Sequence, residues 1–201
     1  MKKAFVLLCA LLLVLGMAPA VFAIPVKVTY TADNVVGAWY QDGSAPVTLS
    51  PGPNAGDWTK SDTDTLELVP GTEYQLVWKV QNWEFPATPS TPAGFLAQID
   101  LGTSLILSSS AWQVSHTPDD PDNFNAAGWD WHAATEYGTN DLNDPNIWRS
   151  VGGISYEAKW IWDGANYGDA NKPFYQEIFV RATFETAPFP NRRPCCSWAP
   201  A

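Results

Sequence analysis

The sequence predicts an all-β chain, an antiparallel β-sandwich carrying one long acidic loop insertion. Three observations predict it. Apolar and polar residues alternate in short runs, the period of a strand with one buried face. Seventeen prolines and 14 glycines among 201 residues punctuate those runs, where turns are needed. The body of the chain shows no apolar stripe at helical spacing. Short strands separated by turn signals pack as a sandwich or barrel.

Taken in order, residues 1–23 read as a secretory signal peptide. Lys2 and Lys3 precede an apolar run from Phe5 to Met17, and Val21-Phe22-Ala23 offers a small-residue cleavage site before Ile24. The run is shorter than the roughly 20 residues a spanning helix needs. Residues 24–186 form the expected domain. Val26, Val28 and Tyr30 alternate with polar neighbours in a first strand. Leu66 and Leu68 do the same, Pro70-Gly71 reads as a tight turn, and Tyr74, Leu76, Trp78 and Val80 then share one face. Together these predict a hairpin from about Thr63 to Asn82. Pro86, Pro89 and Pro92 make 83–93 a loop. Further strands are expected at Phe95–Leu101, Ser104–Leu107, Trp112–Ser115, Ile154–Trp162 and Phe174–Phe184. In the last of these Ile178, Val180, Ala182 and Phe184 point to the core. The segment from His116 to Gly153 is dense in Asp, Asn and Gly and reads as the long loop. Loops of that length inside a domain tend to be functional or mobile.

Composition narrows the chemistry. The formal net charge is −10, and it becomes more negative once Lys2 and Lys3 leave with the leader. Nucleic acid and anionic bilayers need basic surface, so neither is expected as a partner. Cations and neutral glycans remain. The three cysteines are Cys9, Cys195 and Cys196, which leaves the body without a disulfide, thiolate metal site or cysteine nucleophile.

Tryptophan, 11 residues in all, is the strongest compositional signal. Its flat face stacks on sugar rings while neighbouring polar groups bond the hydroxyls. In the long loop Trp129, Trp131 and Trp148, with Asp130 and His132, are the carbohydrate-binding candidates. Trp78, Trp160 and Trp162 lie on strands and are expected in the core. Calcium takes six to eight oxygen ligands, so Asp33 and Asn34, Asp119, Asp120 and Asp122, and Asp141 and Asp144 are candidates for one structural calcium. Neither loop cluster has the spacing of an EF-hand, and a solvated acidic loop is the simpler reading. No resident cofactor beyond such an ion is expected. Catalysis has little support: His116 and His132 are the only imidazoles, and neither G-x-S-x-G nor H-E-x-x-H occurs. A hydrolase would rest on His132, or on Glu136 paired with Asp130.

Two resemblances add to this. Read one base out of frame, the last fourteen residues, Pro188 to Ala201, allow Val-Pro-Glu-Pro followed by an apolar run. That resembles the opening of a PEP-CTERM sorting signal, which implies cell-surface sorting by an exosortase if the signal is intact in the true frame. As written, 187–201 is expected to be a tail without a stable membrane anchor. In the body, Thr31-Ala32-Asp33-Asn34 with Trp39-Tyr40-Gln41-Asp42-Gly43 resembles the opening of a galactose-binding-like β-sandwich. So do Ala158-Lys159-Trp160-Ile161-Trp162-Asp163 and Phe179-Val180-Arg181-Ala182-Thr183-Phe184. The resemblance implies a jelly roll and contact with glycans. The expectation is therefore an exported, non-catalytic protein of the cell surface, matrix or periplasm that touches exopolysaccharide or another glycan. The alternatives are a purely structural surface protein or a secreted carbohydrate-active hydrolase.

Overall fold

The computed structural model describes residues 23–82, 93–116, 122–141, 150–164 and 176–188. Residues 1–22 of the expected leader, the proline-rich loop from Trp83 to Pro92, Asp119, Asp120, Asp144, Trp148 and the tail from Phe189 onward lie outside the described residues.

The strands are β1 (Ile24–Ala32), β2 (Asn34–Gln41), β3 (Val47–Leu49), β4 (Asp62–Leu68), β5 (Glu73–Gln81) and β6 (Phe95–Asp100), then β7 (Leu105–Leu107), β8 (Gln113–Ser115), β9 (His132–Ala133), β10 (Thr135–Thr139), β11 (Lys159–Trp162) and β12 (Glu177–Glu185). One sheet runs β10-β11-β6-β1-β4, with β7 also paired to β6, and the other runs β3-β2-β5-β12-β8-β9. All pairings are antiparallel. The expected all-β sandwich is what forms.

Alternation explains the packing. Val26, Val28 and Tyr30 of β1, Leu66 and Leu68 of β4 and Phe95, Ala97 and Ile99 of β6 face the other sheet. They meet Tyr74, Leu76, Trp78 and Val80 of β5 and Ile178, Val180, Ala182 and Phe184 of β12 in one buried core. Trp78 lies at its centre, stacked on Trp112 at 5.7 Å and tilted against Phe95 at 5.1 Å. Trp78, Trp160 and Trp162 are all fully buried, as expected of strand tryptophans.

Part of each outer face is covered as well. Over the first sheet, Val151, Ile154 and Ala158 pack on Leu96 and Trp160, with Trp58 alongside. Over the second, Phe124 and Trp129 pack on Val77 and Phe179, with Trp39 and Trp131 against them. This is why β5 and β12 carry apolar residues on both sides.

Two expectations are corrected. β4 and β5 are not a hairpin: β4 pairs with β1, and β5 pairs with β2 and β12. The Pro70-Gly71 turn is real, with Gly71 at φ 70°, but it carries the chain from one sheet to the other. Alternation specifies a strand's buried face and not its neighbour, so face-to-face and side-by-side strands look alike in sequence. Thr186 holds this corner, its hydroxyl donating to the Val69 carbonyl at 2.7 Å and its backbone N–H donating to the Thr72 carbonyl at 3.0 Å.

The second correction concerns 116–153, whose described residues are not a structureless insertion. It contributes β9 and β10, and Phe124 and Asn140 are fully buried. β9 pairs with β8 in the second sheet, β10 with β11 in the first, and only Ala134 separates them. One chain segment thus switches sheets and closes that side of the sandwich. The Ala134 N–H donates to the Trp112 carbonyl at 2.9 Å, continuing the ladder through the crossing.

Candidate functional site

The sheet-switching segment and the layer outside the second sheet hold most of the polar and aromatic residues singled out by sequence. Trp129 is 7% exposed, its indole N–H bonded to the Asn123 carbonyl at 3.1 Å. Its ring is edge-on to Phe179 at 4.7 Å and stacked with Trp131 at 5.1 Å. Its faces are spent inside the protein. Trp131 is half-buried. Its N–H reaches the Phe124 carbonyl at 3.0 Å, and the Arg181 guanidinium sits 4.2 Å from its ring centre. Arg181 also donates to the Phe124 carbonyl and to Gln113 Oε1, so a β12 side chain ties the 122–131 segment to β8. Burial pulls the Arg181 pKa below its usual value. Asp130, Asn123 and Asn125 are exposed around this platform.

At the adjoining edge three side chains converge. His116 follows β8 directly. His132 opens β9 and sits opposite Val114, two residues before His116, so both imidazoles project from neighbouring strands. Asp163 follows Trp162, the residue paired with Thr135 at the start of β10. The carboxylate is buried at 4% exposure. One of its oxygens lies 2.7 Å from His116 Nδ1, and the other lies 2.7 Å from His132 Nε2. The two rings are 6.0 Å apart at 64°. The other nitrogen of His132, Nδ1, lies 2.9 Å from the Asp130 carbonyl oxygen. Burial disfavours protonated His132, but the Asp163 and Asp130 oxygens together outweigh it and raise the pKa above the usual histidine value.

Among the described residues, His116, His132 and Asp163 are the one group of three His, Cys, Asp or Glu side chains close enough to share an ion, with ligand atoms within 4.8 Å of one another. Of the calcium candidates, Asp33, Asn34, Asp122 and Asp141 are among the described residues. Asp33 and Asn34 sit half-buried at the β1–β2 crossing, and no group of that kind includes Asp33, Asp122 or Asp141. Asn140, beside Asp141, spends its side chain on structure: its amide donates to the Val151 and Ile154 carbonyls and its oxygen accepts the Val151 N–H at 2.7 Å.

The hydrolase candidates are similarly engaged. Glu136 accepts the Ser110 N–H at 2.7 Å and the Ser110 hydroxyl at 2.9 Å, and these bonds, the backbone one first, lower its pKa. Sequence reasoning named His132 but missed Asp163 as its partner. The two lie 31 residues apart, and nothing in a Trp-x-Trp-Asp string marks the aspartate as aimed at a histidine on another sheet.

Compared with models of protein families, with curated proteins and with solved structures, the chain matches none.

Proposed function

We propose that the protein is an exported, non-catalytic β-sandwich of the cell surface or extracellular matrix that contacts polysaccharide through the Trp131 platform. The observation that carries the reading is a rigid aromatic ring at the surface. Trp129 stacks on the Trp131 ring and Arg181 lies over it, so the contact is through the partly exposed rim of that ring, with exposed Asp130, Asn123 and Asn125 beside it. Sugar recognition uses that combination, an immobilised ring with hydrogen-bonding groups at its margin. Trp129 becomes the support of the platform and not a contact residue. The acidic charge and the signal-peptide pattern fit an exported protein meeting neutral polymer. The engagement of Glu136 by Ser110 and of both His132 nitrogens favours binding over hydrolysis.

The test is tryptophan emission of the full chain titrated with dextran, xylan and alginate. A saturable shift with at least one polymer, lost in Trp131→Ala with near-UV circular dichroism otherwise preserved, is the expected result. Silence across the three polymers, or a shift that Trp131→Ala retains, overturns the reading and leaves a purely structural surface protein.

A further inference from the structure

We infer that His116, His132 and Asp163 form a binding site for one divalent transition-metal ion of the zinc class, at the edge where the sheet-switching segment closes the sandwich. The ligand atoms would be His116 Nδ1, His132 Nε2 and a carboxylate oxygen of Asp163.

Hydrogen-bond bookkeeping is the first argument. A carbonyl oxygen only accepts, so the 2.9 Å contact with Asp130 places a proton on His132 Nδ1. In a neutral imidazole that leaves Nε2 with a lone pair, aimed at a carboxylate oxygen 2.7 Å away. Two lone pairs face each other unless a proton or a cation lies between them. A cation satisfies both at once. The Nδ1–H···O=C bond to Asp130 is also the outer contact that metal-bound histidines make, fixing tautomer and ring orientation.

Charge is the second. Asp163 is buried, and a buried carboxylate must be compensated. One N–H from each ring, reaching one oxygen each at 2.7 Å, is one way to do so, and a divalent ion held by a lone pair from each ring is the other. One divalent ion compensates the carboxylate and lets both imidazoles stay neutral.

The donor set then selects the ion. Two imidazole nitrogens and one carboxylate suit zinc and its first-row neighbours, whereas calcium and magnesium choose oxygen. Three ligands come from three separate strand ends, each fixed by a ladder: β8 against β12, β9 against β8, β11 against β10. His116 and His132 keep side-chain exposures of 24% and 38%. The ion therefore has an entry path and a solvent-facing position for water or another oxygen donor, since three protein ligands leave a tetrahedral ion one place short.

The experiment uses the chelator-treated full chain, titrated with Zn²⁺ by calorimetry and with Co²⁺ by visible absorption. One Zn²⁺ per chain is expected, with Ca²⁺ unable to displace it, and Co²⁺ should give the d–d bands of mixed nitrogen and oxygen ligation. His132→Ala, the more exposed position, and separately His116→Ala should each lower Zn²⁺ affinity by roughly 100-fold or more, beyond the loss typical of an outer contact. Asp130 contributes a backbone carbonyl, so Asp130→Ala should leave affinity within a few-fold. Tryptophan emission matching wild type identifies the variants that fold, and either histidine variant suffices. Zn²⁺ binding unchanged in a folded histidine variant overturns the proposal, as does a folded wild-type chain that binds no Zn²⁺ or prefers Ca²⁺. Any of these leaves a plain ionic triad holding two sheets together.

Discussion

Tyr30 and Tyr137 show how single side chains are tuned by the closed sandwich. Burial, aided by Asp64, raises the Tyr30 hydroxyl well above its usual value, and the hydroxyl donates to Asp64 at 2.9 Å. Burial, with the charge of Asp163, pushes Tyr137 up to about 12. For both, the folded pKa exceeds the unfolded one, so their contribution is fully present below pH about 10 and is lost as pH rises through the folded values. Stability should fall progressively above pH about 10, with late tyrosinate absorbance accompanying unfolding. Denaturant midpoints measured from pH 8 to 12 check this, and a midpoint that holds flat across that interval contradicts it. Both residues were legible as aromatic, and Tyr30 as core. The carboxylates that act on them were not, because Asp64 lies on β4 and Asp163 just past β11, strands whose neighbours alternation does not reveal.

At the scale of elements, strand existence was far more legible than strand partnership. β1, β5, β6 and β12 follow from alternation almost to their ends. β9 and β10 do not, because His132-Ala133-Ala134-Thr135 has no apolar period and gains its order from β8 and β11. The predicted hairpin at Pro70-Gly71 failed for the same reason, since pairing is decided by the far sheet. Asn140, just past β10, offers a direct check on the segment that sequence read as loop. Replacing it by Ala strands the buried Val151 N–H and the Ile154 carbonyl, at a cost of about 1–3 kcal/mol. A chain of this size should then melt several degrees lower, roughly 2–4 °C per kcal/mol. A melting temperature equal to wild type would mean that 150–155 is not pinned to β10 as described.

Across the described residues, a core fills the space between the sheets and a smaller apolar cluster covers part of each outer face. The segment that a sequence reader sets aside as insertion supplies one cover, the Trp131 platform, and the strand that switches sheets. That economy brings the aromatic platform and the His116–His132–Asp163 group to one edge of the fold. The candidate residues were half legible. Composition pointed to Trp131, Asp130 and His132, while Asp163 needed the third dimension.

The claim on which this picture most depends is that the edge is a built ion site and not merely a salt-bridged triad. Crystals of the full chain grown with Zn²⁺ and measured at the zinc absorption edge test it most directly. The account predicts one anomalous peak per chain, about 2.0–2.2 Å from His116 Nδ1, His132 Nε2 and an Asp163 oxygen, with His132 Nδ1 still bonded to the Asp130 carbonyl. No peak there, with both imidazoles resting directly on the Asp163 carboxylate, would contradict it.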